Sequence, residues 1–131
     1  MHDKPLHQRI LALDYDDCFA LAPQAWEHAT RPLINAGFRV WGVTARNEFQ
    51  RITCPHYRLV CDRILYCAGR AKRPLMTSII GGAAVWIDDK PEFIHSDYPV
   101  GLCADAIPDG VEYEALRIFM EEPATGAEFY P

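Results

Sequence analysis

The sequence predicts an α/β fold, a three-layer Rossmann-like sandwich around a mostly parallel, five-stranded sheet. Two observations carry this expectation. Short apolar runs recur along the chain with helical stretches between most of them, and several of these runs end abruptly in acidic or hydroxyl residues. Strands alternating with helices imply right-handed crossovers and a parallel sheet. An apolar run that stops in acid reads as a buried strand whose carboxyl end opens onto solvent or a ligand.

The elements follow in order. Ile10 to Leu13 is the first strand, ending at Asp14. Pro23 suits the first turn of a helix, and Ala25, Trp26, Ala29, Leu33, Ile34 and Ala36 supply its apolar face before Gly37, a C-terminal cap. Pro32 should kink or restart that helix, since it lacks an N–H and its ring crowds the carbonyl four residues back. Phe38 to Val43 is read as the second strand, Ile64 to Cys67 as the third, Ala83 to Ile87 as the fourth and Val100 to Cys103 as the fifth. Asn47 to Cys61 is a weaker helix, interrupted by Pro55, and Arg73 to Ile80 is a short one. A last helix is expected from Asp109, capped there with Glu112 at the box position and with Val111, Ala115, Ile118 and Phe119 at helical spacing.

Composition bounds the rest. At 131 residues, with half of them hydrophobic and no repeat or linker, residues 1–131 are expected to fold as one domain. The net charge of -5 leaves no broad basic surface for a nucleic-acid backbone. A local basic cluster remains at Arg63, Arg70, Lys72 and Arg73. Cys18, Cys54, Cys61, Cys67 and Cys103 are odd in number and lack paired C-x-x-C spacing, which argues against a disulfide framework and a zinc knuckle. The five histidines show no metal-ligand spacing, and His95 alone is near enough to an acid pair to reach a site mouth. With no apolar span and no apolar segment behind a basic start, the expectation is a cytoplasmic protein without a membrane partner.

In such a sheet the site lies outside the carboxyl ends of the strands. There the sequence has Asp14, Asp16 and Asp17 after the first strand, Thr44 and Arg46 after the second, Lys72 near the third, and Asp88 and Asp89 after the fourth. Asp14 and Asp16, two apart in extended chain, can share one pocket. Like charges repel by up to ~4 kcal/mol per pair at 4 Å under an effective dielectric of 20, so four carboxylates need a compensating cation. Mg2+ suits them, since it takes one or two carboxylates plus waters and phosphate oxygens.

These residues resemble the four motifs of the haloacid dehalogenase (HAD) superfamily. Leu11-Ala12-Leu13-Asp14-Tyr15-Asp16 is similar to the first, an apolar strand running into D-x-D; Val40-Trp41-Gly42-Val43-Thr44 to the second; Lys72 to the lysine of the third; and Val85-Trp86-Ile87-Asp88-Asp89 to the fourth. The resemblance covers residues 10 to 89, in the family's order. It implies an HAD-like phosphatase acting on a phosphate monoester, a small molecule or a macromolecule. Asp14 would be the covalent nucleophile and Asp16 the acid and base for the leaving oxygen and the water. Thr44 and Lys72 would bind the phosphoryl group, and Arg46 would bind substrate or pair with an acid. Mg2+ would be held by Asp14, the backbone carbonyl of Asp16, Asp88 and Asp89. Asp16 favours phosphate chemistry, because dehalogenases of the family lack an acid at that position.

Two features depart from, or narrow, the family pattern. Asp17-Cys18 replaces the usual Gly-Thr, which loses a permissive glycine. The spacing leaves no room for a cap module, and similar cap-less members take large substrates or borrow a neighbouring subunit, which allows a homo-oligomer. Two other readings stand beside this one. One is a non-catalytic HAD-like binding module. The other is a receiver-type signalling domain, disfavoured because Tyr66-Cys67-Ala68-Gly69 offers no phospho-acceptor aspartate after the third strand.

Overall fold

The computed structural model describes residues 5–99, 107–123 and 127–129. Six strands form one sheet: β1 (Ile10–Leu13), β2 (Arg39–Thr44), β3 (Arg63–Tyr66), β4 (Val85–Ile87), β5 (Phe119–Glu122) and β6 (Ala127–Phe129). Their order is β4-β1-β2-β3-β5-β6. The pairings of β1 with β2 and β4, and of β2 with β3, are parallel, whereas β5 runs antiparallel to β3 and to β6. The helices are α1 (Pro23–Asn35), α2 (Pro55–Val60), α3 (Lys72–Ile80) and α4 (Glu92–His95).

The layers follow from handedness. Moving from β1 through α1 to β2, and through α2 to β3, the chain steps in one direction across the sheet, so right-handed crossovers put α1 and α2 on the same face. From β3 through α3 to β4 it steps back past β1, and α3 goes to the other face. The side chains agree. Leu11, Leu13, Val40 and Ile64 pack with Tyr57 and Val60 of α2 and with Trp26 and Ile34 of α1. Ile10, Ala12, Trp41 and Leu65 pack with Met76 and Leu75 of α3. The three-layer, mostly parallel α/β architecture expected from the sequence is therefore present, and among the described residues no helix is long and apolar enough to cross a membrane.

Several boundaries differ from expectation. Helix α1 runs through Pro32 without restarting. Only Trp26 and Ile34 of its expected apolar face pack on the core, and Leu33 is 37% exposed. Of residues 47–61 only Pro55–Val60 is helical, with Pro55 in the first turn, where its missing N–H costs nothing. The expected strand at Val100 to Cys103 lies outside the described residues.

The last helix is corrected outright. Asp109 caps nothing helical; Tyr113–Ala115 makes one 3₁₀ turn and Phe119–Glu122 is strand β5, which adds two antiparallel pairings to the expected five-stranded sheet. The physical reason is the open edge of β3. Its backbone groups are satisfied by β5, in the register Tyr66 with Phe119 and Ile64 with Glu121. Period-two burial then wins over helical spacing: Phe119 and Glu121 are buried on one side, while Ile118 and Met120 pack on the other.

Glu121 is 1% exposed, and its charge is matched. Arg58 Nη1 donates to it at 2.7 Å, Arg51 Nη2 at 2.8 Å and the Tyr66 hydroxyl at 3.1 Å. Burial alone would raise this carboxyl, but the arginines and the tyrosine hold it below the ordinary value of 4.5. A depressed native value means stability that is present above pH 4.5 and lost as pH falls through that value. Glu121→Gln should cost roughly 2–3 kcal/mol at pH 7. In urea titrations the gap between parent and variant should persist at pH 8 and narrow progressively as pH is taken below 4.5.

Gly42 is a second constraint. A Cβ there would run into the Tyr57 ring and hydroxyl, and that hydroxyl donates to the Leu13 carbonyl at 2.6 Å. The tyrosine thus fills the space above a bare backbone and ties α2 to the end of β1. Gly42→Ala should lower stability by about 1–3 kcal/mol in thermal or urea unfolding, whereas Ala12→Gly, which opens space instead, should leave Tyr57 buried by fluorescence quenching.

Candidate functional site

The chain reverses direction across the sheet around β1, and that reversal is where an open α/β sheet forms its crevice. Asp14 follows β1 and Asp88 follows β4, its parallel neighbour; the Asp14 N–H donates to the Ile87 carbonyl at 2.9 Å, carrying the pairing up to the first acid. Lys72 enters from α3, as its first residue. Its Nζ donates to Asp14 Oδ1 at 3.0 Å and to Asp88 Oδ2 at 2.5 Å, with all three side chains at least nine-tenths buried.

Charge governs this cluster. Burial would lower the Lys72 ammonium, but Asp14 and Asp88 outweigh it and hold the group above its ordinary value, so it is charged. Asp14 is pushed up to about 7, first by burial, against the pull of Lys72 and with the help of Asp89 and Asp88. One ammonium thus fails to compensate three carboxylates. Oxygens of Asp14, Asp88 and Asp89 lie within 4.8 Å of one another. This all-oxygen donor set, short of positive charge, fits a hard divalent cation.

Asp16 does not join that triad with its carboxylate. It is turned to Arg46, whose Nε and Nη2 donate to its two oxygens at 2.9 and 2.8 Å in a fork. Arg46 is held above its ordinary value, since that pairing outweighs its partial burial, and it lies 5.2 Å from the Tyr15 ring centroid. Thr44 is fully buried at the end of β2, where its Oγ1 accepts the Arg46 N–H at 3.1 Å. Asp17 takes φ +55°, the left-handed conformation a glycine adopts freely and an aspartate tolerates.

A cavity of about 190 Å³ opens over these groups, lined by Asp14, Asp16, Arg46, Lys72, Asp88 and Asp89. Thr44 is not among its lining residues, whereas the next residue, Ala45, is. Arg70 and Arg73 lie elsewhere: Arg70 stands over the Tyr113 ring, and Arg73 lines a separate depression with His95. The basic cluster is therefore dispersed, with only Lys72 at the cavity. His95 is not among the lining residues of that cavity. Cys18, Cys61 and Cys67 are buried with free thiols, and burial pushes Cys67 up to about 12. They pack as small hydrophobes.

Sequence reasoning missed part of the lining: Gln50 from the loop after β2, and Lys90, Phe93 and Tyr98 from the segment after β4. Lys90, next to Asp89, could have been found by position alone. Phe93 and Tyr98 carry no signal in a single sequence. The chain matches no family model, no curated protein and no solved structure.

If the triad holds a cation, adding Mg2+ should raise the melting temperature, with linkage worth about 2.7 kcal/mol at a hundred times Kd. Asp89→Asn should reduce that shift. An unchanged melting temperature with Mg2+, Mn2+ and Ca2+ would remove the triad as a metal site.

Proposed function

We propose that the chain is a Mg2+-dependent phosphohydrolase of the HAD type, cleaving a phosphate monoester through an aspartyl-phosphate on Asp14. The observation that carries this reading is the buried Lys72 ammonium lodged between Asp14 and Asp88, with Asp89 completing a carboxylate triad. Phosphoryl transfer asks a site for positioning and charge compensation more than for covalent variety, and these are what such a cluster supplies.

In the first half-reaction an Asp14 oxygen attacks phosphorus, forming the O–P bond as the bond to the leaving oxygen breaks. Lys72, already on Asp14 Oδ1, draws the nucleophile toward its ionised form and balances charge on the transferring group. Asp14, Asp88 and Asp89, with the Asp16 carbonyl, would hold Mg2+, which when bound neutralises and orients the phosphoryl oxygens. Asp16 reaches the leaving oxygen, to give it a proton, only when its fork with Arg46 opens; the phosphoryl dianion is the partner Arg46 would take in exchange. In the second half-reaction Asp16 accepts a proton from the attacking water, and Asp14 and inorganic phosphate are released. Thr44, buried and outside the cavity lining, would act by holding the Arg46 backbone N–H with its hydroxyl.

The test is hydrolysis of 4-nitrophenyl phosphate with and without Mg2+, in the parent and in Asp14→Asn. Metal-dependent turnover that falls about a thousandfold or more in the variant is expected. Equal turnover in both would rule out Asp14 as nucleophile, and a folded parent that binds Mg2+ but turns over no ester would favour the binding-module reading.

A further inference from the structure

One wall of the cavity is not accounted for by phosphoryl chemistry. Phe93 and Tyr98 stand side by side there, both half-buried, with ring centroids 4.4 Å apart and planes tilted by 46°. They are held in place. The Tyr98 N–H donates to the Gly69 carbonyl at 2.6 Å, and the neighbouring Asp97 carboxylate accepts the Ala71 N–H at 2.8 Å, one residue before Lys72. Lys90 closes the wall on one side, its Nζ 5.8 Å from the Tyr98 ring centroid and 3.4 Å from the Tyr98 hydroxyl. The aromatic wall and the phosphate-side ammonium are thus tied to one stretch of backbone.

We propose that this wall is the leaving-group subsite, and that the site selects phosphate monoesters of small, uncharged alcohols carrying one aromatic ring. The inference rests on the phosphohydrolase reading above, and three observations support it. First, two half-exposed rings lining one cavity favour another ring, which can lie offset or edge-on against them. Second, every cation lining the cavity already faces an acid: Arg46 faces Asp16, Lys72 faces Asp14 and Asp88, and Lys90 lies 3.9 Å from Asp17. With Lys72 held by two acids and Arg46 given over to the phosphoryl group, a second phosphate or a carboxylate on the leaving group would find only Lys90, with Asp17 3.9 Å from its ammonium, and a cationic group would meet Lys90 beside the wall. Third, the cavity is about 190 Å³. A cavity of roughly 150 Å³ accommodates a benzene ring alone, so with the phosphoryl group on the acidic floor there is space for at most one ring, lying partly in the mouth, and anything larger must project through it.

The experiment compares kcat/KM for benzyl phosphate and cyclohexylmethyl phosphate with Mg2+ on the intact chain. Both esters have primary-alcohol leaving groups of similar size and basicity, so their ratio reads the ring and not the chemistry. The parent should prefer benzyl phosphate about three- to tenfold. In Phe93→Leu, and independently in Tyr98→Leu, the ratio should fall toward one; because it is taken within each variant, a loss of folded protein cancels. A parent ratio near one, or a preference kept in both variants, overturns the aromatic subsite while leaving the phosphohydrolase reading standing. Hydrolysis of neither ester, nor of 4-nitrophenyl phosphate, overturns that reading and the subsite with it.

Discussion

The carboxyl edge of this sheet depends on one buried ammonium. Strands β1 and β4 are parallel neighbours, so the acids that follow them, Asp14 and Asp88, are forced side by side away from water. Two unscreened carboxylates in that position would repel by several kcal/mol. Lys72 resolves the conflict by placing its Nζ between them, and it can do so only because α3 begins at Lys72 on the face opposite α1 and α2. Helix placement and charge balance are therefore one constraint. The chirality of the crossover decides which face α3 occupies, and the face decides which cation reaches the acids.

Support for the same edge arrives from the other face. Tyr57 of α2 fills the space over Gly42 and donates to the Leu13 carbonyl, immediately before Asp14. Further out, Glu121 of β5 gathers Arg51, Arg58 and Tyr66, and the Tyr66 hydroxyl accepts the Ile52 N–H. This buried charge is costly to desolvate and is tolerated because several donors converge on it. Its effect is to fasten the loop carrying Arg46 and Gln50 to the sheet. The Arg46–Asp16 fork is thus presented by a braced loop and not by a free one.

The cavity has two characters, an acidic floor with one ammonium and an aromatic wall. The floor is assembled from strand ends and the start of α3. The wall comes from the segment after β4, a short helix and an extended stretch. Backbone and side-chain hydrogen bonds from Tyr98 and Asp97 to residues 69 and 71 tie the second to the first. Distances between floor and wall are consequently set by local bonds next to Lys72.

What the sequence by itself determined was the presence of strands β1 to β4, the three layers and the acids at the strand ends. These are local properties: apolar runs of strand length, the residue that terminates each run, and prolines and glycines that bound helices. Asp14, Asp88 and Asp89 were legible for that reason, since a parallel sheet brings all its carboxyl ends to one edge whatever the side chains do. Tertiary structure alone decided the rest. That Asp16 faces Arg46, that Lys72 and not Arg70 or Arg73 lies between the acids, that residues 119–122 pair with β3 instead of forming a helix, and that Phe93 and Tyr98 complete the cavity all depend on contacts between residues far apart in the chain or across separate elements. Such contacts are chosen by competition for unpaired backbone edges and buried charges, and no periodicity within a single segment records the outcome.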